Sequence, residues 1–264
     1  MNNISTGTFP PDQIPVIKDW NWWSDFLQRE YYGNPDEGPA WENVARSLAR
    51  QLDIGPGTDV LDLGSGCGEV VMRLAMMGAR AVGVERSEPL VIHCARTAAE
   101  RGVVAQFVAA DMFTFQPQTM FDVVLSLNTS FGYGNHQQNG ELLRNISRWL
   151  KPGGKLYLDT FTADNAESFG TWSDALAGGT FVVENSWEPE RSVMISHPAW
   201  IAPDQETVYY ANGPEVVRLY LRQELEQMMA DAGLRPRRLQ RAMGRRFRQD
   251  DTDMHTTWIA ERQG

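Results

Sequence analysis

The stretch VLDLGSGCGEVV, residues 60–71, decides the fold. An apolar strand segment runs into glycines at 64, 66 and 68, and a helical segment follows. A glycine turn between strand and helix lets the backbone approach a ligand, and the helix start behind it offers free N–H groups. The pattern implies a nucleotide-type ligand and leaves open which one. The dinucleotide fingerprint is G-x-G-x-x-G, whereas this chain has Glu69 at the third of those positions. A carboxylate there is a poor neighbour for a pyrophosphate, because like charges would meet at low dielectric. It suits a ligand with a cationic end.

Outward from the turn the rhythm is regular. Residues 59–63 read as a strand, 69–77 as a helix, 79–85 as a strand, and 89–101 as a helix with Ser87 as its N-cap. Strands follow at 103–111 and 121–127, then a helix over 141–150 stopped by KPGG, and a fifth strand over 154–161. Such alternation predicts right-handed crossovers and a mostly parallel, doubly wound sheet with helices on both faces, a Rossmann-like α/β fold. After Phe161 the segments GGTFVVENSW, RSVMISHPAW and ETVYYANG are β-rich with no helix between them, which predicts an antiparallel cover. A helix returns in LYLRQELEQMMADAGL, closed by Gly233, and strands near 237–242 and 255–261 complete seven in the core sheet.

Upstream, residues 1–15 read as a Pro-rich arm, and DWNWWSDFLQREYY as an aromatic helix that packs on the main domain or closes over a ligand. The chain thus divides into an arm and helical cap (1–57), a cofactor-binding core (58–161), a β-rich cover insertion (162–213) and a C-terminal helix with the last strands (214–264).

Composition narrows the function. The 264 residues are 42% hydrophobic, enough for a sizeable core, and carry a formal net charge of −10. That balance argues against nucleic acid as a partner, since phosphate binding needs clustered cations. The arginine-rich run RPRRLQRAMGRRFR, residues 235–248, reads as a solvated strand edge and loop with counter-charge in the following QDDTD. Two cysteines and four scattered histidines give neither a disulfide framework nor metal-ligand spacing. The N-terminus lacks a signal pattern and no apolar run reaches the roughly 18 residues of a membrane span. The expectation is a soluble, cytoplasmic protein with no metal and no membrane partner.

The strand ends carry the more specific signals. Glu85 ends the second strand 21 residues after Gly64 (85 − 64), where a carboxylate can accept both hydrogen bonds of a ribose diol. Asp111 ends the third, where it can accept from an adenine amino group, and Leu127-Asn128 ends the fourth. With VLDLGSGCG, GVERS, AADMF, SLNTSFGY and LLRNISRWLKPGGKLYLD in this order, the chain resembles the class I S-adenosylmethionine-dependent methyltransferases of the bacterial small-molecule type. The resemblance is specific over 59–161 and loose over 20–260. It implies S-adenosyl-L-methionine as cofactor and S-adenosyl-L-homocysteine as product. It places Asp62, Gly64, Ser65, Gly66 and Gly68 around the methionine portion and Glu85 on the ribose with Arg86 and Ser87 beside it. Asp111 and Met112 would clasp the adenine, Leu127 and Asn128 would lie toward the methyl end, and Tyr31 or Tyr32 would close over the methionine.

The same resemblance implies methyl transfer to an oxygen or nitrogen of a small-molecule acceptor, with carbon a less favoured alternative, mainly by proximity and alignment. His136, just past Phe131-Gly132-Tyr133, is the first candidate base; His197 in the cover is the second. Tyr133, Asp159 and the cover residues Trp172, Trp187 and Trp200 are candidates for shaping the acceptor pocket. Asn128-Thr129-Ser130-Phe131 lacks the paired prolines of base-amine methyltransferases, which disfavours nucleic-acid bases as acceptors. The competing readings are an S-adenosylmethionine-binding protein with a non-methylating reaction, a nicotinamide-dependent oxidoreductase, and a non-enzymatic partner subunit.

Overall fold

The computed structural model describes residues 4–5, 26, 29–30, 38–211, 213–239 and 255–263. Most of the expected aromatic N-terminal helix, Tyr31, Tyr32 and residues 240–254 of the arginine-rich region lie outside the described residues.

The core begins with helix α1 (Gly38–Leu52) and then alternates: β1 (Asp59–Leu63), α2 (Glu69–Met76), β2 (Arg80–Glu85), α3 (Glu88–Glu100) and β3 (Gln106–Ala109). It continues with β4 (Phe121–Ser126), α4 (His136–Trp149) and β5 (Leu150–Phe161). After the cover come α5 (Arg222–Asp231), β11 (Leu234–Leu239) and β12 (His255–Arg262). The seven strands lie in the order β11-β12-β5-β4-β1-β2-β3. β12 runs antiparallel to both of its neighbours, and the remaining pairs are parallel.

Near-continuous apolar strands arise because both faces of this sheet are covered. Leu61, Leu63, Val124, Leu156 and Leu158 pack one way, against Leu142, Ile146, Leu225 and Met229 of α4 and α5. Val60, Val123, Leu125 and Tyr157 pack the other way, against Leu48 and Leu52 of α1 and Val71 and Leu74 of α2. From β1 the chain winds outward to β2 and β3, then crosses to β4 on the other side of β1. The carboxyl ends of β1 and β4 therefore flank the switch point, where an open parallel sheet holds its ligand.

The helix starts follow local hydrogen bonding. Ser87 caps α3 as expected, its Oγ accepting from Leu90 N at 3.3 Å. Helix α4 begins five residues earlier than the apolar periodicity suggested. Asn135 and Gln138 form a reciprocal capping box there, each side chain accepting from the other's backbone N–H at 2.9 Å.

The cover is a second sheet built of β6 (Trp172–Leu176), β7 (Gly179–Glu188), β8 (Val193–Ile201), β9 (Val208–Tyr210) and β10 (Glu215–Arg218). Strands β6, β7 and β8 form an antiparallel meander, and β9 and β10 share the free edge of β8. A two-residue segment, Ile4–Ser5, adds in parallel to β9. β6 and β10 were not expected from the sequence: the first carries mostly exposed residues and the second is only four residues long. The cover sheet thus continues past the expected boundary at residue 213 to Arg218.

One face of the cover is apolar, with Leu176, Phe181, Val183 and Trp200 packed together and Phe26 inserted among them. The Phe26 ring lies 5.4 Å from that of Trp200 in an edge-on arrangement. This residue of the aromatic N-terminal segment therefore docks on the cover rather than on the core. Met194 and Val217 on the same face meet Phe161 at the end of β5, which joins the two sheets. Among the described residues no helix is long and apolar enough to cross a membrane.

Candidate active site

The turn after β1 is held by three glycines in the left-handed region, with φ of 73° at Gly64, 52° at Gly66 and 73° at Gly68. Gly64 and Ser65 donate their N–H groups to Val84 O at 2.8 and 3.0 Å, which ties the turn to the end of β2. A side chain at Gly64 has no room: a Cβ there would lie 2.6 Å from Ser130 Oγ and 3.6 Å from Met112 Cε. One position thus gathers the loops that follow β1, β3 and β4. Gly68 opens α2 without a side-chain cap, leaving the first N–H groups of that helix at the turn.

Two carboxylates sit beneath this turn. Glu85 is buried; Oε2 accepts from Gly66 N and Oε1 from Ser87 N, each at 3.0 Å. Burial raises its pKa, and these backbone donors partly offset the rise. Each carboxylate oxygen keeps a second lone-pair site, so the residue that braces the turn can also accept from a ribose diol. Asp62 is buried, and its Oδ1 has no hydrogen-bond partner among the described residues. Burial, and then the nearby charge of Glu85, push its pKa up to about 7. An orphaned buried carboxylate oxygen beside a glycine cradle fits a ligand bearing a cationic amino group. S-adenosylmethionine has that group and the diol.

Glu69 does not discriminate between cofactors in the way its position in the sequence implies. It is buried but doubly answered, by Arg73 one turn along α2 and by Arg101 at 3.0 Å. Its charge is compensated within the protein, so repulsion of a pyrophosphate no longer discriminates between cofactors. Cys67 and Cys94 are buried free thiols whose pKa values burial raises, which leaves them unreactive packing groups.

The loop after β4 is strained. Asn128 and Thr129 both adopt positive φ, 50° and 65°, unusual for consecutive non-glycine residues. Asp159 of β5 holds them there: its Oδ2 accepts from Asn128 N at 3.2 Å and its backbone O from Thr129 N at 3.0 Å. Its Oδ1 accepts from Thr257 Oγ1 at 2.9 Å. The structure therefore gives Asp159 a loop-positioning role, where the sequence suggested only a part in shaping the pocket. Ser130 Oγ donates to Leu127 O at 2.7 Å and lies 3.4 Å from Gly64 O, closing the loop onto the turn. Of the other sequence candidates, Asp111 accepts from Phe113 N at 2.9 Å, Arg86 and Asn128 are exposed, and Leu127 is half-buried.

The three catalytic candidates separate in space. Tyr133 leaves the loop and donates its hydroxyl to Glu215 of β10. His136 is exposed in the first turn of α4, with its ring 5.8 Å from that of Tyr220. His197 pairs with Glu184 across β7 and β8, and both are exposed. Strand alternation puts His197 on the outer face of the cover, opposite to the face that carries Glu215. Trp172, Trp187 and Trp200 all belong to the Glu215 face by the same registers. Glu215 itself was not singled out from the sequence, because only strand register reveals which way it points.

A cavity of about 400 Å³ opens at the other end of the sheet, lined by Asp122, Lys151 and Gly153 among others. Lys151 there bridges Asp59 and Asp122 at 2.7 and 2.8 Å, so its charges are mutually satisfied.

Comparison with known proteins agrees with the geometry. Residues 60–154 match a family described as a methyltransferase domain. The chain is 32% identical over 177 residues to a demethylmenaquinone methyltransferase of Corynebacterium urealyticum, covering 64% of this chain and 72% of that protein. It is 40% identical over 114 residues to a cypemycin N-terminal methyltransferase of a Streptomyces species, covering 43% of this chain and 44% of that protein. The chain thus spans less than half the length of the latter. The CcbJ methyltransferase of Streptomyces caelestis superposes with a TM-score of 0.76 over 92% of this chain and 98% of that one. At 18% identity this last likeness concerns the fold alone. Together with the glycine turn and the two carboxylates beneath it, these matches show that the chain belongs to the class I S-adenosylmethionine-dependent methyltransferase family.

Proposed function

We propose that this protein transfers a methyl group to an oxygen or nitrogen of a small-molecule acceptor held between the carboxyl end of the core sheet and the cover. The observation that carries the reading is the orphaned Oδ1 of buried Asp62 beneath the glycine turn. A carboxylate in that state calls for a cationic partner, which the ammonium group of S-adenosylmethionine supplies, and methyl transfer is the family's use of that cofactor. The names of relatives support an acceptor other than nucleic acid: one methylates the N-terminus of cypemycin, and among solved structures of similar fold one acts on an amino pentose and one on a sugar nitrogen. A net charge of −10 fits an acceptor other than nucleic acid. The two free thiols fit a cytoplasmic location.

In this reading Asp62 and the backbone of Gly64, Ser65, Gly66 and Gly68 hold the amino-acid end of the cofactor. Glu85, with Arg86 beside it, receives the ribose, while Asp111 and Met112 flank the adenine. When bound, S-adenosylmethionine supplies an electrophilic methyl on a sulfonium centre. The chain's own task is alignment and exclusion of water, which alone lowers a displacement barrier substantially. Leu127 and the strained Asn128-Thr129 turn, fixed by Asp159, form the wall at the reacting end, and the apolar face of the cover closes over it.

The test is turnover. Purified protein is incubated with S-adenosylmethionine and matched panels of small alcohols, phenols and amines, and S-adenosylhomocysteine is quantified. Acceptor-dependent product that falls at least tenfold in Glu85→Ala supports the reading. Tight cofactor binding with no methylated product from any acceptor would favour a non-methylating reaction instead.

A further inference from the structure

The face of the cover that meets the core is mostly apolar; besides Asp174, exposed on edge strand β6, it carries one polar row. Asn185 of β7, Ser196 of β8 and Glu215 of β10 are direct cross-strand neighbours and share that face. Trp187, Met194 and Val217 flank the row on one side and Val183 and Pro198 on the other. Ser196 Oγ donates to Asn185 Oδ1 at 2.6 Å, and Asn185 Nδ2 donates to Gly170 O at 2.8 Å, so these two groups are engaged. Glu215 ends the row. Among the described residues its side chain accepts one hydrogen bond, from Tyr133, and no Lys, Arg or His forms an ion pair with it.

Other carboxylates near the two sheets are answered differently. Glu69, Asp59, Asp122 and Asp164 each have a cation, and Glu85 and Asp159 each accept two or more hydrogen bonds. Glu215 also sits at a junction. Tyr133 belongs to the loop that follows β4 and the strained turn. The same loop binds β10 again through Arg218 N to Gly132 O at 2.8 Å. Gly132 permits that approach, since a Cβ there would meet Arg218 O at 2.5 Å. A half-buried carboxylate that meets no cation among the described residues, set on a mostly apolar face and tied to the loop at the reacting end of the sheet, is the arrangement that selects a cation.

We infer that Glu215, held by Tyr133, determines acceptor specificity by receiving the ammonium group of an amine, so that the transferred methyl goes to nitrogen. This rests on the methyl-transfer reading above and narrows it. An ammonium has no lone pair, so the bound acceptor must lose a proton before it reacts. Glu215 takes it: one N–H bond breaks, an O–H bond forms on the carboxylate, and the electron pair stays on nitrogen. Burial pushes the Glu215 carboxyl up to about 7, which brings it nearer to an amine in basicity than an exposed carboxylate would be.

The test uses the whole chain loaded with S-adenosylhomocysteine. Cyclohexylammonium and its neutral counterpart cyclohexanol are titrated into wild type, Glu215→Gln and Tyr133→Phe, followed by amide chemical shifts in NMR. Wild type should bind cyclohexylammonium with shifts at residues 132–134 and 215–217, at least tenfold more tightly than Glu215→Gln. Tyr133→Phe should weaken it severalfold, and cyclohexanol should respond to neither substitution. A structural latch would instead lose both probes together as the cover loosened. Equal binding of the two probes, no loss in Glu215→Gln, or no shift at these residues would overturn the inference. Calorimetry with S-adenosylhomocysteine is run on the same samples. Intact cofactor binding beside failed amine selection sinks only this inference, whereas absent cofactor binding in wild type sinks the broader reading too.

Discussion

Three acidic residues hold different states because their surroundings differ. Among the described residues Glu85 has two backbone N–H donors, Glu215 has one phenol, and Asp62 Oδ1 has none. For Asp62 the consequence is a testable tension between stability and binding. Folded Asp62 keeps its proton up to about pH 7, whereas the unfolded chain releases it near 3.8. Between these values the folded state binds more protons, so stability falls as pH rises from about 4 to about 7. Asp62→Asn should therefore melt above wild type at pH 8 without ligand, with the gap closing below pH 4. The same substitution should weaken S-adenosylhomocysteine binding by roughly 10–100-fold, the loss expected for a charge-assisted contact. Thermal melts across pH and calorimetry check the two halves; a variant that melts lower at pH 8 would contradict the account of Asp62. Glu85 was legible in the sequence from its spacing to Gly64. Glu215 was not, because spacing along a chain does not say which residues of three strands share a face.

At the scale of elements, short-range chemistry was read well and pairing was read poorly. Ser87 and Gly233 marked helix ends correctly, because a cap is a matter of neighbouring residues. The start of α4 was placed too late. Its first turn is polar, and His136, Gln137 and Gln138 are exposed, so hydrophobic periodicity is silent where the Asn135–Gln138 box decides the matter. Asn135→Ala should cost about 1 kcal/mol in a urea titration, with cofactor affinity unchanged. Strands β6 and β10 carry no signal of their own in the sequence, because both owe their conformation to partners in the cover rather than to alternation. The link between core and cover at Gly132 is equally invisible in sequence. Gly132→Ala meets both a positive φ of 117° and the Arg218 carbonyl, and should destabilise the fold by about 1–3 kcal/mol. A urea midpoint equal to that of wild type would show that β10 does not press on this loop.

For the molecule as a whole, the parallel sheet with its switch point was legible because alternating strands and helices admit few topologies. The relation of cover to core was not, since it depends on contacts such as Met194 and Val217 with Phe161. The central claim is that the turn over Asp62 and Glu85 is a site for S-adenosylmethionine. Calorimetric titration of the intact protein with S-adenosylhomocysteine tests it most directly, with NADH as control ligand and Glu85→Ala as control variant. The account expects one-to-one binding in the micromolar range or tighter, at least tenfold weaker in Glu85→Ala, and no heat from NADH. Binding of NADH in place of S-adenosylhomocysteine, or full affinity in Glu85→Ala, would contradict it.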